Sequence, residues 1–152
     1  MRLALYQPEI ALNVGALMRV AACFDASVDI IEPCGFAADD RTWRRAALDY
    51  ADGRPPRRHL SFAAFLDSPE GRSGRLLLLS VRGDASLFDH RFEEEDILMT
   101  GRESAGAPAE AHAAAAAVLR VPIASGARSL NVATAAAAAL SEARRQIGFR
   151  EG

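Results

Sequence analysis

Lysine is absent from this 152-residue chain: all eighteen basic residues are arginine. Schiff-base chemistry, a Walker-type phosphate lysine and a lysine general base are therefore excluded, and anions must be met by arginine forks, backbone N–H groups or helix N-termini. Cysteine is scarce. Cys23 and Cys34 do not form a C-x-x-C pair, and His59, His90 and His112 are scattered without ligand spacing, so no metal site is expected. Cys23 falls inside an apolar helical pattern and reads as a buried, inert thiol. No apolar run approaches the ~18 residues of a membrane span, and the N-terminus enters a strand pattern without a signal-type core. A cytoplasmic protein with no membrane partner is expected.

What is present is half apolar and one quarter charged, with mean hydropathy +0.01. That composition excludes a disordered chain and supports a single domain over residues 1–152. Alanine is abundant, and an alanine-rich, lysine-free chain is what a GC-rich genome produces. A net charge of −2 argues against indiscriminate coating of nucleic acid. The average hides a local excess, because Arg41, Arg44, Arg45, Arg54, Arg57 and Arg58 face only Asp49 and Asp52 in their stretch. The sign reverses between Asp84 and Glu103, where Asp84, Asp89, Glu93, Glu94, Glu95 and Asp96 cluster.

Short apolar runs alternate with helical patterns along the chain. Leu3–Tyr6, Val28–Ile31, Leu76–Val81 and Ile97–Thr100 read as strands, Leu76–Val81 being the most apolar and so buried on both faces. Asn13 opens a helix with the stripe Leu17, Val20, Ala21 and Phe24, on which Gly15 and Arg19 share the opposite face. Asp39 or Asp40 caps a helix carrying Arg41, Trp43, Arg44, Arg45 and Leu48, before a break at Gly53–Arg57. Leu60–Leu66 reads as a strand running into a helix. Ala109–Leu119 has helical composition while Val118–Ile123 has strand character, and propensity alone does not place the boundary. Ser129 starts a last helix with the stripe Val132, Ala136, Ala139, Leu140, Ala143 and Ile147, ended by Gly148. The alternation predicts an α/β fold with a mostly parallel sheet and flanking helices.

Ligands of open parallel sheets sit at the carboxyl ends of the strands. Three clusters occupy such positions: Asn13-x-Gly15-x-x-x-Arg19; Gly101-Arg102-Glu103-Ser104-Ala105-Gly106-Ala107-Pro108; and Arg128-Ser129-Leu130-Asn131. The first has one glycine where a dinucleotide fingerprint needs three, which counts against a nicotinamide-dependent dehydrogenase. The glycine pair of the second permits backbone to approach a ligand, and the third is a polar helix entry.

Together with Leu5-Tyr6-Gln7-Pro8-Glu9-Ile10, Glu32-Pro33-x-Gly35-Phe36 and Arg44-Arg45-Ala46-x-Leu48-Asp49-Tyr50, these clusters in this order resemble one family. The chain resembles the SPOUT superfamily of RNA methyltransferases, and within it the small single-domain tRNA (cytidine/uridine-34) 2′-O-methyltransferases. The resemblance implies a C-terminal deep trefoil knot, S-adenosylmethionine (AdoMet) as methyl donor, a homodimer, and methyl transfer to the ribose of the tRNA wobble nucleotide. It implies that Arg19 and Asn13 serve the chemistry and that Leu79, Gly101, Val121 and Ser129 contact AdoMet, flanked by Ile123 and Leu130. The arginines Arg41, Arg44, Arg45, Arg57 and Arg58 are expected to meet tRNA phosphates. Two departures from the family pattern, Ser141 and Thr134-Ala135, fall on the final helix. The competing readings are a SPOUT 2′-O-methyltransferase acting on another tRNA position or on rRNA, and a non-catalytic RNA-binding dimer of the same fold.

Overall fold

The computed structural model describes residues 1–37 and 40–149, apart from the side chain of Ala51. Seven strands form one sheet: β1 (Arg2–Tyr6), β2 (Ser27–Ile31), β3 (Arg57–His59), β4 (Leu76–Leu79), β5 (Ala85–Ser86), β6 (Ile97–Thr100) and β7 (Ala117–Arg120). Their order is β3-β2-β1-β6-β4-β7-β5, and every pairing is parallel. The helices are α1 (Ala11–Cys23), α2 (Thr42–Ala47), α3 (Tyr50–Gly53), α4 (Phe62–Asp67), α5 (Ala109–Ala114) and α6 (Val132–Ile147).

Side chains alternate across a strand, so a sheet covered on both faces needs apolar residues at odd and even positions alike. Leu3, Leu5, Val28, Ile30, Leu77, Leu98 and Leu119 pack on one face with α1, α2 and α6. Ala4, Tyr6, Ile31, Leu76, Leu78, Ile97 and Met99 pack on the other with Phe62 and Phe65 of α4 and Ala111 of α5. The expected α/β architecture with a parallel sheet is thus observed.

Several boundaries differ from expectation. The first helix begins at Ala11, two residues before Asn13, and the last begins at Val132 with Asn131, not Ser129, as its cap. β4 stops at Leu79 because Ser80 and Gly83 close a turn, Gly83 N–H donating to Ser80 O at 3.0 Å. The expected break before Arg57 ends in the edge strand β3, whose ladder with β2 supplies what its polar sequence does not. Leu60 is consequently exposed between β3 and α4 rather than in a strand. β5 is two residues long and carries no periodic signal. The alanine run divides into α5 and β7, and the second strand signal is used at Ala117–Arg120 rather than Val118–Ile123. Asp40 accepts a hydrogen bond from Thr42 N–H at 2.8 Å at the start of α2, Asp39 lies outside the described residues, and Leu48 falls just beyond the helix. Cys23 is exposed rather than buried, because it lies off the inward stripe of α1.

Both ends of α1 are tied to distant segments. At its C-terminal end the guanidinium of Arg144, buried on α6, donates to Phe24 O at 2.7 Å and Asp25 O at 2.8 Å. It also meets Gly148 O and the Glu94 carboxylate, so its charge is compensated. The fork supplies donors to carbonyls that a helix end leaves unpaired.

The side of α1 bearing Gly15 is covered by α2, which corrects the expectation that Gly15 lies with Arg19 on the face opposite the buried stripe. A Cβ on Gly15 would lie 2.3 Å from Ala46 Cβ and 2.6 Å from Trp43 O. Gly15 is a close-approach residue, and α2 occupies the space its missing side chain leaves. Helix propensity alone would make Gly15→Ala stabilising by about 1 kcal/mol. Overpacking against backbone costs about 1–3 kcal/mol and should win, so thermal denaturation of Gly15→Ala is expected to show a lowered Tm. A raised Tm would contradict the close approach.

Candidate active site

Four loops meet at the carboxyl ends of β1, β4, β6 and β7 around a cavity of about 580 Å³. Its wall includes Asn13, Leu79, Gly101, Val121, Ile123, Ser129 and Leu130, so all six residues expected to contact a cofactor converge there from four separate parts of the chain. Leu119 and Val132 extend the apolar lining, while Arg82, Arg102, Glu103, Arg128 and His112 supply charge or titratable groups. The volume lies in the range of small-molecule sites, and the wall mixes apolar side chains with polar and charged ones in nearly equal share.

The polar groups are arranged by the demands of two helix ends. α1 starts at Ala11 behind Ile10, which has no capping side chain, and its first turn carries no acidic residue. The N–H groups of the two residues that lead into it, Glu9 and Ile10, need acceptors, which the β6–α5 loop supplies. The carboxylate of Glu103 accepts from Glu9 N–H at 2.8 Å, Ile10 N–H at 3.3 Å and Asn13 Nδ2 at 3.1 Å. In return the carboxylate of Glu9 accepts from Ser104 N–H at 2.8 Å and Ser104 Oγ at 2.7 Å. Those two hydrogen bonds from Ser104 hold the Glu9 carboxyl below its ordinary pKa.

The chain of polarity continues to α6. Asn131 Oδ1 accepts from Ala133 N–H at 2.9 Å and Thr134 N–H at 3.4 Å, capping the helix. That fixes Asn131 Nδ2 as a donor, and it bonds Asn13 Oδ1 at 3.1 Å. Asn13 Nδ2 must then point to an acceptor, which is Glu103. Each amide orientation follows from its neighbour. The starts of α1 and α6 and the β6–α5 loop are thereby locked together on the cavity wall.

The glycine pair of the β6–α5 loop lies on the cavity wall and also closes the loop on itself. Arg102 and Gly106 exchange two backbone hydrogen bonds of 3.0 Å each, and Gly106 has φ +68°. A Cβ on Gly101 would lie 2.5 Å from Ala107 N, so the loop closes tightly only with glycine there. Arg102 bonds Gln7 Oε1 and lies over the Tyr6 ring, its centroid 5.7 Å away. Burial and a hydrogen bond to Glu110 raise the Tyr6 hydroxyl pKa.

Arg19 is exposed and does not line the cavity. It lies six residues beyond Asn13 on α1, about 9 Å along the axis and two-thirds of a turn further round. Among the expected RNA-contacting arginines, Arg41, Arg44 and Arg45 are exposed and without ion-pair partners among the described residues, with Arg44 5.2 Å from the Trp43 ring centroid. Arg57 pairs with Glu70 at 2.8 Å, and Arg58 pairs with Glu32. Burial opposes ionisation of Glu32, but hydrogen bonds from Arg58 and Cys34 keep its pKa low, while burial and that carboxylate push the Cys34 thiol up to about 12. The departures Ser141 and Thr134 are both exposed on α6. Among the described residues, no group of three or more His, Cys, Asp or Glu side chains is arranged to hold a metal ion, and no helix is long and apolar enough to cross a membrane.

Sequence reasoning missed the tertiary cap by Glu103, although one signal was present: a helix entered through Ile10, with no capping residue, must find its acceptor elsewhere.

An all-parallel sheet whose strand-end loops close around a cavity, without a glycine-rich dinucleotide fingerprint, defines an α/β small-molecule-binding protein outside the dinucleotide-binding class. The model of the SpoU rRNA Methylase family matches residues 1–141, and the chain belongs to that family. A protein of Ancylobacter novellus named tRNA (cytidine(34)-2′-O)-methyltransferase is 47% identical, with 96% of this chain and 92% of that protein covered. The protein of the same name from Escherichia coli is 36% identical, covering 98% and 95% respectively. A solved structure described as "Structural insights into the 2-OH methylation of C/U34 on tRNA" has TM-score 0.89 and 43% identity, over 96% of this chain and 95% of that one. The SpoU methyltransferase AviRb of Streptomyces viridochromogenes, in complex with AdoMet, has TM-score 0.89 and 26% identity, over 97% of this chain and 60% of that one.

Removing the cap in Asn131→Ala should cost about 1 kcal/mol, which lowers Tm by a few degrees in a chain of this size. Glu103→Gln should cost more, about 2 kcal/mol, because a carboxylate accepting three hydrogen bonds is replaced by a neutral amide. Thermal denaturation of both variants checks the order, and an inverted order would contradict the relay from Glu103.

Proposed function

We propose that this protein transfers a methyl group from AdoMet to the ribose 2′-oxygen of the wobble nucleotide, position 34, of tRNA. The observation that carries this reading is the convergence of Leu79, Gly101, Val121, Ile123, Ser129 and Leu130 on one cavity, in a chain matched over nearly its full length by tRNA (cytidine(34)-2′-O)-methyltransferases. That near-full-length match to proteins named for tRNA favours tRNA over rRNA.

The cavity suits AdoMet. Its apolar side chains accommodate an adenine face, and the main chain between Pro122 and Leu130 makes one backbone–backbone hydrogen bond among the described residues, Ala127 N–H to Ala124 O. Donors and acceptors of that segment are therefore available to a polar ligand. AdoMet supplies an electrophilic methyl group on a sulfonium, and the chain's own residues supply alignment, which is worth ~7–11 kcal/mol when the geometry is held. The Glu103–Asn13–Asn131 relay holds two of the cavity loops for that purpose.

Arg19 grips the phosphate next to the target ribose and stabilises the alkoxide as it develops. An arginine with pKa above ~12 is a poor general base at neutral pH, so the hydroxyl proton leaves late, to water or a phosphate oxygen. Because Arg19 lies off its own cavity, the reading includes a homodimer in which α1 of a second copy brings Arg19 to the donor. Exposed Ile10, Leu12 and Leu130 beside the cavity give that contact an apolar surface. The tRNA then lies across the dimer, with Arg41, Arg44, Arg45, Arg57 and Arg58 at its phosphates; the last two must exchange carboxylate partners for phosphate. The residues act as one domain, and a tRNA substrate places the protein in the cytoplasm.

The reading also includes the C-terminal knot. Residues 80–96 leave β4, reach the outer edge as β5, and return to β6 on the other side of β4. α6 follows β7 yet packs on α1, and Gln146 on it bonds Phe92 N–H at 3.0 Å and His90 O at 2.9 Å beneath that segment. These contacts support threading of the chain after β7 through the 80–96 loop.

Purified protein incubated with labelled AdoMet should methylate a tRNA transcript, and should fail on one carrying 2′-deoxycytidine at position 34. Equal labelling of both would defeat the wobble reading. Arg19→Lys keeps the charge but loses the fork, and turnover should fall by about 10²-fold or more. Near-normal turnover would remove the fork from the mechanism. In salt titrations of tRNA binding, neutralising Arg44 and Arg45 should flatten the slope more than neutralising Arg57 and Arg58, which already have carboxylate partners.

A further inference from the structure

We propose that Arg82 and Arg128 form a guanidinium clamp on the cavity wall that holds RNA phosphates beyond the one gripped by Arg19; the assignment rests on the function proposed above. The charged groups on the cavity wall divide into engaged and free. Glu103 is taken up by two N–H groups and Asn13, and Arg102 by Gln7 and the Tyr6 ring. Arg82 and Arg128 are exposed, line the cavity, and have no side-chain hydrogen bond or ion pair among the described residues. They sit on different loops, one following β4 and one preceding α6.

The backbone under Arg82 is held while its side chain is free. Ser80 Oγ accepts from Arg82 N–H at 3.2 Å, and Gly83 N–H closes on Ser80 O at 3.0 Å. Gly83 lies against β7 so closely that a Cβ there would meet the Leu119 carbonyl carbon at 2.5 Å. The turn therefore fixes where the guanidinium starts from. Beside it Val81 is 65% exposed. The turn after β4 thus presents an apolar side chain next to an unpaired guanidinium. That pairing matches a nucleotide in single-stranded RNA, whose base has an apolar face and whose phosphate accepts bidentate hydrogen bonds. In a chain without lysine, these are the two uncommitted cations on the cavity wall among the described residues.

The test uses the full-length chain with Arg82→Gln, Arg128→Gln and the double substitution, an anticodon stem-loop RNA as one probe and AdoMet alone as the other. Both side chains are exposed and unbonded, so the variants should melt like the wild type. The double variant should bind the stem-loop roughly tenfold or more weakly, and its log–log salt dependence should be shallower by about 1.4, at ~0.7 per single-strand phosphate. AdoMet affinity by calorimetry should stay within about twofold. A comparable fall in AdoMet affinity would overturn the clamp, whatever RNA binding does, because the arginines would then hold the donor's carboxylate. Unchanged stem-loop binding and salt slope would overturn it as well. The wild type separates this from the underlying reading: no methylation at position 34, with arginine-dependent stem-loop binding intact, defeats the wobble assignment and leaves an RNA clamp standing.

Discussion

The carboxylate of Glu103 at the start of α1 is the interaction on which the arrangement of the cavity depends. The chain enters a helix that has no cap of its own, and an acid more than ninety residues away accepts the N–H groups of Glu9 and Ile10 at that entry. The same carboxylate orients Asn13, Asn13 orients Asn131, and Asn131 caps α6. One unsatisfied helix end is thus resolved by joining three distant segments into one wall. Satisfying backbone polarity and building the site are the same event in this fold.

The rest of α1 is fixed just as tightly. Its Gly15 face is closed by α2, and Arg144 holds the Phe24 and Asp25 carbonyls, just past its C-terminal end, to α6. A helix held at both ends and along one side is a stable platform for alignment chemistry, which needs placement more than reactive side chains. This accounts for a cavity wall made of backbone, apolar side chains and guanidinium groups, with its one carboxylate engaged as a helix cap.

Much of this was legible in the sequence because burial on both faces of a parallel sheet leaves continuous apolar runs such as Leu76–Leu79 and Ile97–Thr100. The clusters at Asn13, Gly101 and Ser129 were legible as strand-end positions, and the family resemblance joined them into one site. What escaped were features decided by tertiary context. β3 reads Arg57-Arg58-His59 and becomes a strand because β2 offers it a ladder, while two-residue β5 has no period to detect. Gly15 reads as sharing the outer face of α1 with Arg19, since spacing along a helix says which residues share a face but not what covers that face. Arg57 and Arg58 looked like free charge, yet their carboxylate partners, Glu70 and Glu32, lie well outside the local window. Arg82 carried no signal, because a lone arginine in a short turn becomes notable only when its neighbours on the cavity wall are all engaged.

The central claim is that the cavity serves methyl transfer to the wobble ribose. The most direct measurement is a site-resolved map of 2′-O-methylation in tRNA from cells with and without the gene for this chain. The account predicts that the mark at position 34 disappears from its substrate tRNAs in the deleted strain and returns when the gene is restored. An unchanged wobble ribose in the deleted strain would contradict it.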